Sequence, residues 1–116
     1  MKKAILLGML ASAALALPAN ASLAQFGTIT AVYGMRNGAI LFNTSGARSG
    51  TVPACQGPGL TQRYALDAST ISGQTYASVL MTAYALKKRV YVQGTGTCDI
   101  WSDTETVSYI MVEDTP

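Results

Sequence analysis

Residues 63–93 read RYALDASTISGQTYASVLMTAYALKKRVYVQ, and the fold turns on this stretch because its hydrophobic period changes twice. Tyr64 and Leu66 alternate with their neighbours, the two-residue period of a strand over residues 63–67. Tyr76, Val79, Leu80, Ala83 and Tyr84 then fall three and four residues apart, which predicts a helix over residues 73–88 with one apolar stripe. Ser72 is a good N-cap, since its hydroxyl can accept an orphan backbone N–H, and Ile71 is placed to staple onto Tyr76. Lys87, Lys88 and Arg89 are expected to close the helix, where cations complement its carbonyl end. Val90 and Val92 restore the alternation and predict a strand over residues 90–93.

Upstream, residues 28–35 are β-rich, with Ile29, Ala31 and Tyr33 on one face and Thr28, Thr30 and Val32 on the other. Asn37-Gly38 follows, and that dipeptide supplies the positive φ angles of a type I′ hairpin turn, with residues 39–43 as the return strand. Residues 44–61 form a long Gly-, Ser-, Pro- and Thr-rich connection that contains Cys55. Downstream, Gly94-Thr95-Gly96-Thr97 reads as a tight turn rather than a phosphate loop, because no third glycine or helix follows. Residues 106–112 form the last strand, with Val107, Tyr109 and Met111 alternating against Ser108, Ile110 and Val112. Its far half is apolar on both faces, as expected of a strand buried on two sides or packed on another subunit. Five strands with one helix between the third and fourth is the order of an OB-fold, a mainly-β (α+β) five-stranded Greek-key barrel. An open antiparallel sheet crossed by one helix is the alternative.

Residues 1–21 have the form of a secretory signal peptide: Lys2 and Lys3, an apolar run over residues 4–17, Pro18, and the small-x-small pattern Ala19-Asn20-Ala21. Ser22-Leu23-Ala24 offers a second cleavage pattern. The expected mature protein is one domain over residues 22–116, with no transmembrane segment, in the bacterial periplasm or secreted. The formal charge of +2 resides in the leader, and the remainder is neutral, which removes the electrostatic support for nucleic-acid binding. The chain has no histidine, so imidazole bases and histidine-activated nucleophiles are excluded, and its two cysteines cannot build a four-thiolate zinc site. In an exported chain Cys55 and Cys98 are expected to form one disulfide. No catalytic residue, metal or cofactor is expected.

Asp99, Asp103 and Glu105 lie close enough in sequence to invite a calcium reading, but their spacing is not that of an EF-hand loop. Trp101, Ser102 and Asp103 are the candidate ligand-binding residues, since an aromatic face beside hydrogen-bonding groups suits a sugar. The competing reading packs Trp101 against the disulfide.

Residues 64–109 carry Tyr64-Ala65-Leu66-Asp67-Ala68-Ser69-Thr70, then Leu86-Lys87-Lys88-Arg89-Val90, then Gly94-Thr95-Gly96-Thr97-Cys98 with Trp101 and Thr104-Glu105-Thr106-Val107. In these motifs the chain resembles small exported bacterial proteins similar to the B subunit of subtilase cytotoxin. The resemblance implies an OB-fold and a homo-oligomer, a ring of five in which helices line a pore and edge strands of neighbours pair. The small residues Ala77, Ser78, Thr82 and Ala85 off the helix stripe are compatible with close helix approach. A cell-surface glycan and a catalytic A-type subunit are the partners it implies. The chain departs from the toxin pattern at two sugar-binding positions, with Phe26 before Gly27 in place of a serine and Val92 in place of a stacking tyrosine, so glycan specificity does not carry over. The sequence therefore points to an exported, non-enzymatic binding and assembly protein. The alternative is a periplasmic or surface OB-fold protein that binds a protein or peptide and has no glycan or toxin role.

Overall fold

The first strand is too long to serve one sheet edge, and its changes of partner organise the molecule. The computed structural model describes residues 21–114, so the expected leader, residues 1–21, lies outside the described residues except for Ala21. Six strands and one helix follow: β1 (Ser22–Gly34), β2 (Ala39–Thr44), β3 (Arg48–Gly50), β4 (Arg63–Asp67), α1 (Ile71–Leu86), β5 (Arg89–Gly94) and β6 (Glu105–Val112). The start of β1 pairs antiparallel with β3 on one side and β5 on the other, while its second half pairs with β2. β2 pairs with β4, β4 runs parallel to β6 over Tyr64↔Glu105 and Ala65↔Thr106, and β6 pairs antiparallel with β5. The pairings thus run β1-β2-β4-β6-β5 and return to β1, with β3 added at an edge. The fold is mainly β with one helix, as expected, but has six strands rather than five.

The sixth strand, β3, lies inside the connection read as irregular. It has no apolar period of its own and exists through its pairing with Ser22, Leu23 and Ala24, which also begins β1 six residues earlier than expected. Ala24 explains why: it is fully buried in the core, beside Val90 and Val92. A bulge between Ile29 and Ala31 breaks the alternation in β1. Ile29 is buried before it and Val32 packs on the core after it, so Tyr33 turns outward rather than sharing a face with Ile29. A β-bulge has this effect because one extra residue shifts every later side chain to the opposite face.

The hairpin after β1 is present, but its turn is not type I′. Gly38 takes a positive φ while Asn37 does not, and Gly38 N–H donates to Met35 O (3.0 Å) while Met35 N–H donates to Ala39 O (2.9 Å). This is a three-residue loop closed by a glycine bulge. Asn37 contributes through its side chain, whose Oδ1 accepts the Ala39 N–H.

Helix α1 also starts and ends differently. Thr70, not Ser72, is the N-cap: its backbone is extended and its hydroxyl accepts the Gly73 N–H (3.0 Å). Ile71 is 86% exposed and staples nothing. Lys87 forms the left-handed C-cap, so the basic trio follows the helix instead of closing its last turn. Lys88 Nζ donates to Asp114 O, and Arg89 begins β5 and pairs with Glu113. Leu80 and Ala83 are the fully buried positions of the stripe and share one core with Phe42, Tyr64, Leu66 and Val107 from the strands. Burying a leucine such as Leu80 contributes about 1.5–3 kcal/mol.

A charged pair, Arg48 and Glu105, lies in this interior. Glu105 is fully buried at the start of β6, and its Oε1 accepts from Arg48 Nη2 (2.8 Å) and from the Ser22 hydroxyl (2.5 Å). Oε2 accepts from the backbone N–H of Ser22 (3.1 Å) and of Gly96 (2.9 Å). Arg48 Nε donates to the Ser22 hydroxyl (2.7 Å), and its guanidinium lies over the Tyr64 ring, 4.2 Å from the centroid. Burial raises the Tyr64 phenol above its ordinary pKa, so Tyr64 stays neutral.

The Cys55–Cys98 disulfide forms as the cysteine count predicts and joins the β3–β4 loop to the β5–β6 loop. It spans 43 residues, and on the chain-entropy account closing such a loop stabilises by about 4 kcal/mol. Urea unfolding of the Cys55→Ala/Cys98→Ala double variant is therefore expected to show a loss of about 2–4 kcal/mol. Unchanged stability would contradict the structural role given to this bond.

Candidate functional site

The chain from the end of β4 into α1 is folded by its short polar side chains. Asp67 Oδ1 accepts from the Ser69 N–H (3.0 Å) and hydroxyl (2.6 Å), the Asx turn that Asp-x-Ser favours. Thr70 then caps the helix and donates its hydroxyl to Asp67 O (2.9 Å). The helix comes so close to the end of β4 that a Cβ on Gly73 would stand 1.6 Å from Asp67 O, so only glycine fits there. Opposite, in the β5–β6 loop, Asp99 Oδ1 accepts from the hydroxyls of Thr106 (2.5 Å) and Thr97 (3.1 Å).

Between these segments lies an open cleft of about 390 Å³. It is lined by Leu66 and Asp67 from the end of β4, Thr70, Ser72, Gly73 and Tyr76 from the start of α1, Asp99 and Ile100 from the β5–β6 loop, and Thr106 and Val107 from β6. Hydrogen bonds hold both carboxylates below the ordinary range: from Thr106 first for Asp99, and from Ser69 for Asp67. Both are ionised at neutral pH and can only accept. Among the described residues their hydrogen bonds fall on Oδ1, which orients each carboxylate. The cleft therefore combines two oriented anionic acceptors, the three hydroxyls of Thr70, Ser72 and Thr106, the aromatic ring of Tyr76 and the apolar side chains of Leu66, Ile100 and Val107. Neither carboxyl is pushed upward, so neither has the character of a general acid.

The ligand-binding candidates from sequence, Trp101, Ser102 and Asp103, do not line this cleft, whereas Asp99, considered there for calcium, does. Trp101 is half-buried and opens a tight turn that Thr104 N–H closes onto Trp101 O (3.1 Å). Ser102 is exposed at its tip. Asp103 is engaged in structure: its carboxylate pairs with Arg63 Nη2 (2.7 Å), and its carbonyl accepts the Gly57 N–H (2.8 Å). The three acids considered for calcium diverge. Asp99 serves Thr97 and Thr106, Asp103 serves Arg63, and Glu105 serves Arg48, and no acidic cluster able to hold a metal is found among the described residues.

The cleft was missed because four separate segments build it. One local signal was available: Asp67-Ala68-Ser69-Thr70 before a helix is a turn-and-cap sequence that turns polar groups toward the helix start. No protein-family model, no curated protein and no solved structure matches the chain.

Thr106→Val is expected to raise the Asp99 pKa toward the ordinary carboxylate value, measured by NMR titration. A depressed carboxylate contributes stability above its unfolded pKa and loses it as pH falls through the folded pKa. The stability gap between wild type and Thr106→Val should thus be present above about pH 4 and close below it. Gly73→Ala is expected to destabilise by about 1–3 kcal/mol through overpacking against the β4 backbone. A neutral Gly73→Ala would show that the cleft wall is not held by this close approach.

Proposed function

We propose that the chain is an exported OB-fold binding protein that assembles with copies of itself and takes a glycan in the cleft between α1 and the β5–β6 loop. The observation that carries this reading is the chemistry of the cleft. Sugar hydroxyls donate well to oriented carboxylates, the Thr70 and Ser72 hydroxyls can take further bonds, and the Tyr76 ring with Leu66 and Val107 suits the apolar face of a pyranose. Two ionised carboxylates repel an anionic sugar, so the reading favours a neutral or amino sugar over a sialylated one. The closed circuit of strand pairings supports the OB-fold reading, and the disulfide is compatible with export. Ionised acids with no raised carboxyl favour binding over catalysis.

Assembly is supported by what β6 leaves uncovered. Among the described residues, its only ladder partner beyond Thr106 is β5, while Tyr109 and Met111 are each 46% exposed and Val112 is exposed as well. An open strand edge with apolar side chains invites pairing. On α1, Met81 and Leu86 are exposed too. The same open edge favours a second reading, in which a protein or peptide partner adds along β6. In a toxin-like ring, assembly would multiply weak sugar contacts and could deliver a catalytic partner.

A glycan array probed with the exported protein is expected to give neutral or amino-sugar hits that Asp99→Asn weakens about tenfold or more, the loss of a charge-assisted hydrogen bond. Binding lost in Trp101→Ala and kept in Asp99→Asn would move the site to the Trp101 turn. An intact assembly with no array binding would favour the protein-partner reading. Native mass spectrometry should show a homo-oligomer, a pentamer on the toxin-like reading, and a monomer at micromolar concentration would contradict assembly.

A further inference from the structure

The backbone N–H of Ser22 is spent in an unusual way. It donates to a fully buried carboxylate, Glu105 Oε2 (3.1 Å). The other carboxylate oxygen carries Arg48, so the two donors approach Glu105 from opposite oxygens. We propose that the exported chain is cut between Ala21 and Ser22, and that the new α-ammonium of Ser22 docks on Glu105 as the second cation of the buried cluster. The proposal rests on the export reading above.

Three observations decide between the two cleavage patterns. Ser22, Leu23 and Ala24 pair with β3, and Leu23 and Ala24 also pair with β5. Ala24 is a fully buried core residue. The Ser22 hydroxyl links Arg48 Nε to Glu105 Oε1. Cutting after Ala24 would remove all of these and strip two of the four donors that satisfy Glu105, and an under-satisfied buried carboxylate is strongly destabilising. Cutting after Ala21 removes nothing that Glu105 uses. It replaces one amide N–H with an ammonium at the same atom, which makes that hydrogen bond charge-assisted. The amide bond Ala21–Ser22 is hydrolysed during export, before folding, so the burial of Ser22 is no obstacle. The titratable or charged groups facing the new terminus are Glu105 on β6, Arg48 on β3 and the neutral Tyr64 on β4.

The test begins with the full chain, expressed with its own leader in a Gram-negative host and purified from the periplasm or medium. N-terminal sequencing and intact mass are expected to give Ser22 as the first residue. A chain starting at Gln25, or at any residue other than Ser22, overturns the proposal, and one retaining Met1 overturns the export reading with it. Reductive methylation at neutral pH then reads the docking, with exposed Lys87 as internal control. Relative to Lys87, the Ser22 amine of the native protein is expected to react about tenfold or more slowly than in denaturant, as burial and ion pairing protect it. Equal relative rates would overturn the docking. Glu105→Gln is expected to restore reactivity, and because the wild-type comparison needs no variant, the test stands even where Glu105→Gln does not fold.

Discussion

The buried carboxylate of Glu105 is the interaction on which the rest of this structure depends. An ionised group inside a small core is tolerated only when paired and fully hydrogen-bonded. Here its partners come from three separate parts of the chain: the first residue of β1, the short β3, and Gly96 in the β5–β6 loop. The neighbouring backbone is shaped to admit it. A Cβ on Gly94 would stand 2.1 Å from Glu105 Oε2, so the end of β5 must be glycine for the carboxylate to sit where it does. From the other side, the Glu105 N–H donates to Gln56 Oε1 (2.7 Å), and the Gln56 amide bonds the carbonyls of Leu60 and Arg63. The loop bearing Cys55 is thereby tied to the same residue.

That anchoring places the cleft. β6 starts parallel to β4 for two residues and then leaves it for β5, and Thr106 sits at the divergence with its hydroxyl on Asp99. The α1 start packs against the end of β4 through Gly73, so a gap opens between the helix and the β5–β6 loop. The Trp101 turn, the Arg63–Asp103 pair and the disulfide hold that loop from outside. Glu105 and its neighbours hold the loop side of the cleft, while the outer half of β6 is left with an open edge.

What could be read in advance was what neighbouring residues decide among themselves. The alternation of residues 63–67 gave β4 at its observed bounds, the spacing of Leu80 and Ala83 gave the buried side of α1, and the cysteine count gave the disulfide. The errors in strand count, strand face and the role of Glu105 have long-range causes. Arg48-Ser49-Gly50 has no strand signature and is a strand only because β1 and Glu105 hold it. The bulge after Ile29 turns Tyr33 outward against its sequence parity. Glu105 read as one of three loop acids, since nothing local says that Arg48, 57 residues away, meets it. For the same reason the cleft was not visible from any one segment.

If Glu105 and Arg48 hold β1, β3 and β6 together as a unit, their contributions must be coupled. The direct measurement is a double-mutant cycle by urea unfolding, with Glu105→Gln, Arg48→Met and the double variant. A loss of about 3–5 kcal/mol is expected for each single change, because each removes a hydrogen-bonded partner of a buried charged group. The double variant should lose clearly less than the sum of the two. Single losses that add to within about 0.5 kcal/mol would contradict it, showing two independent side chains where we describe one buried cluster.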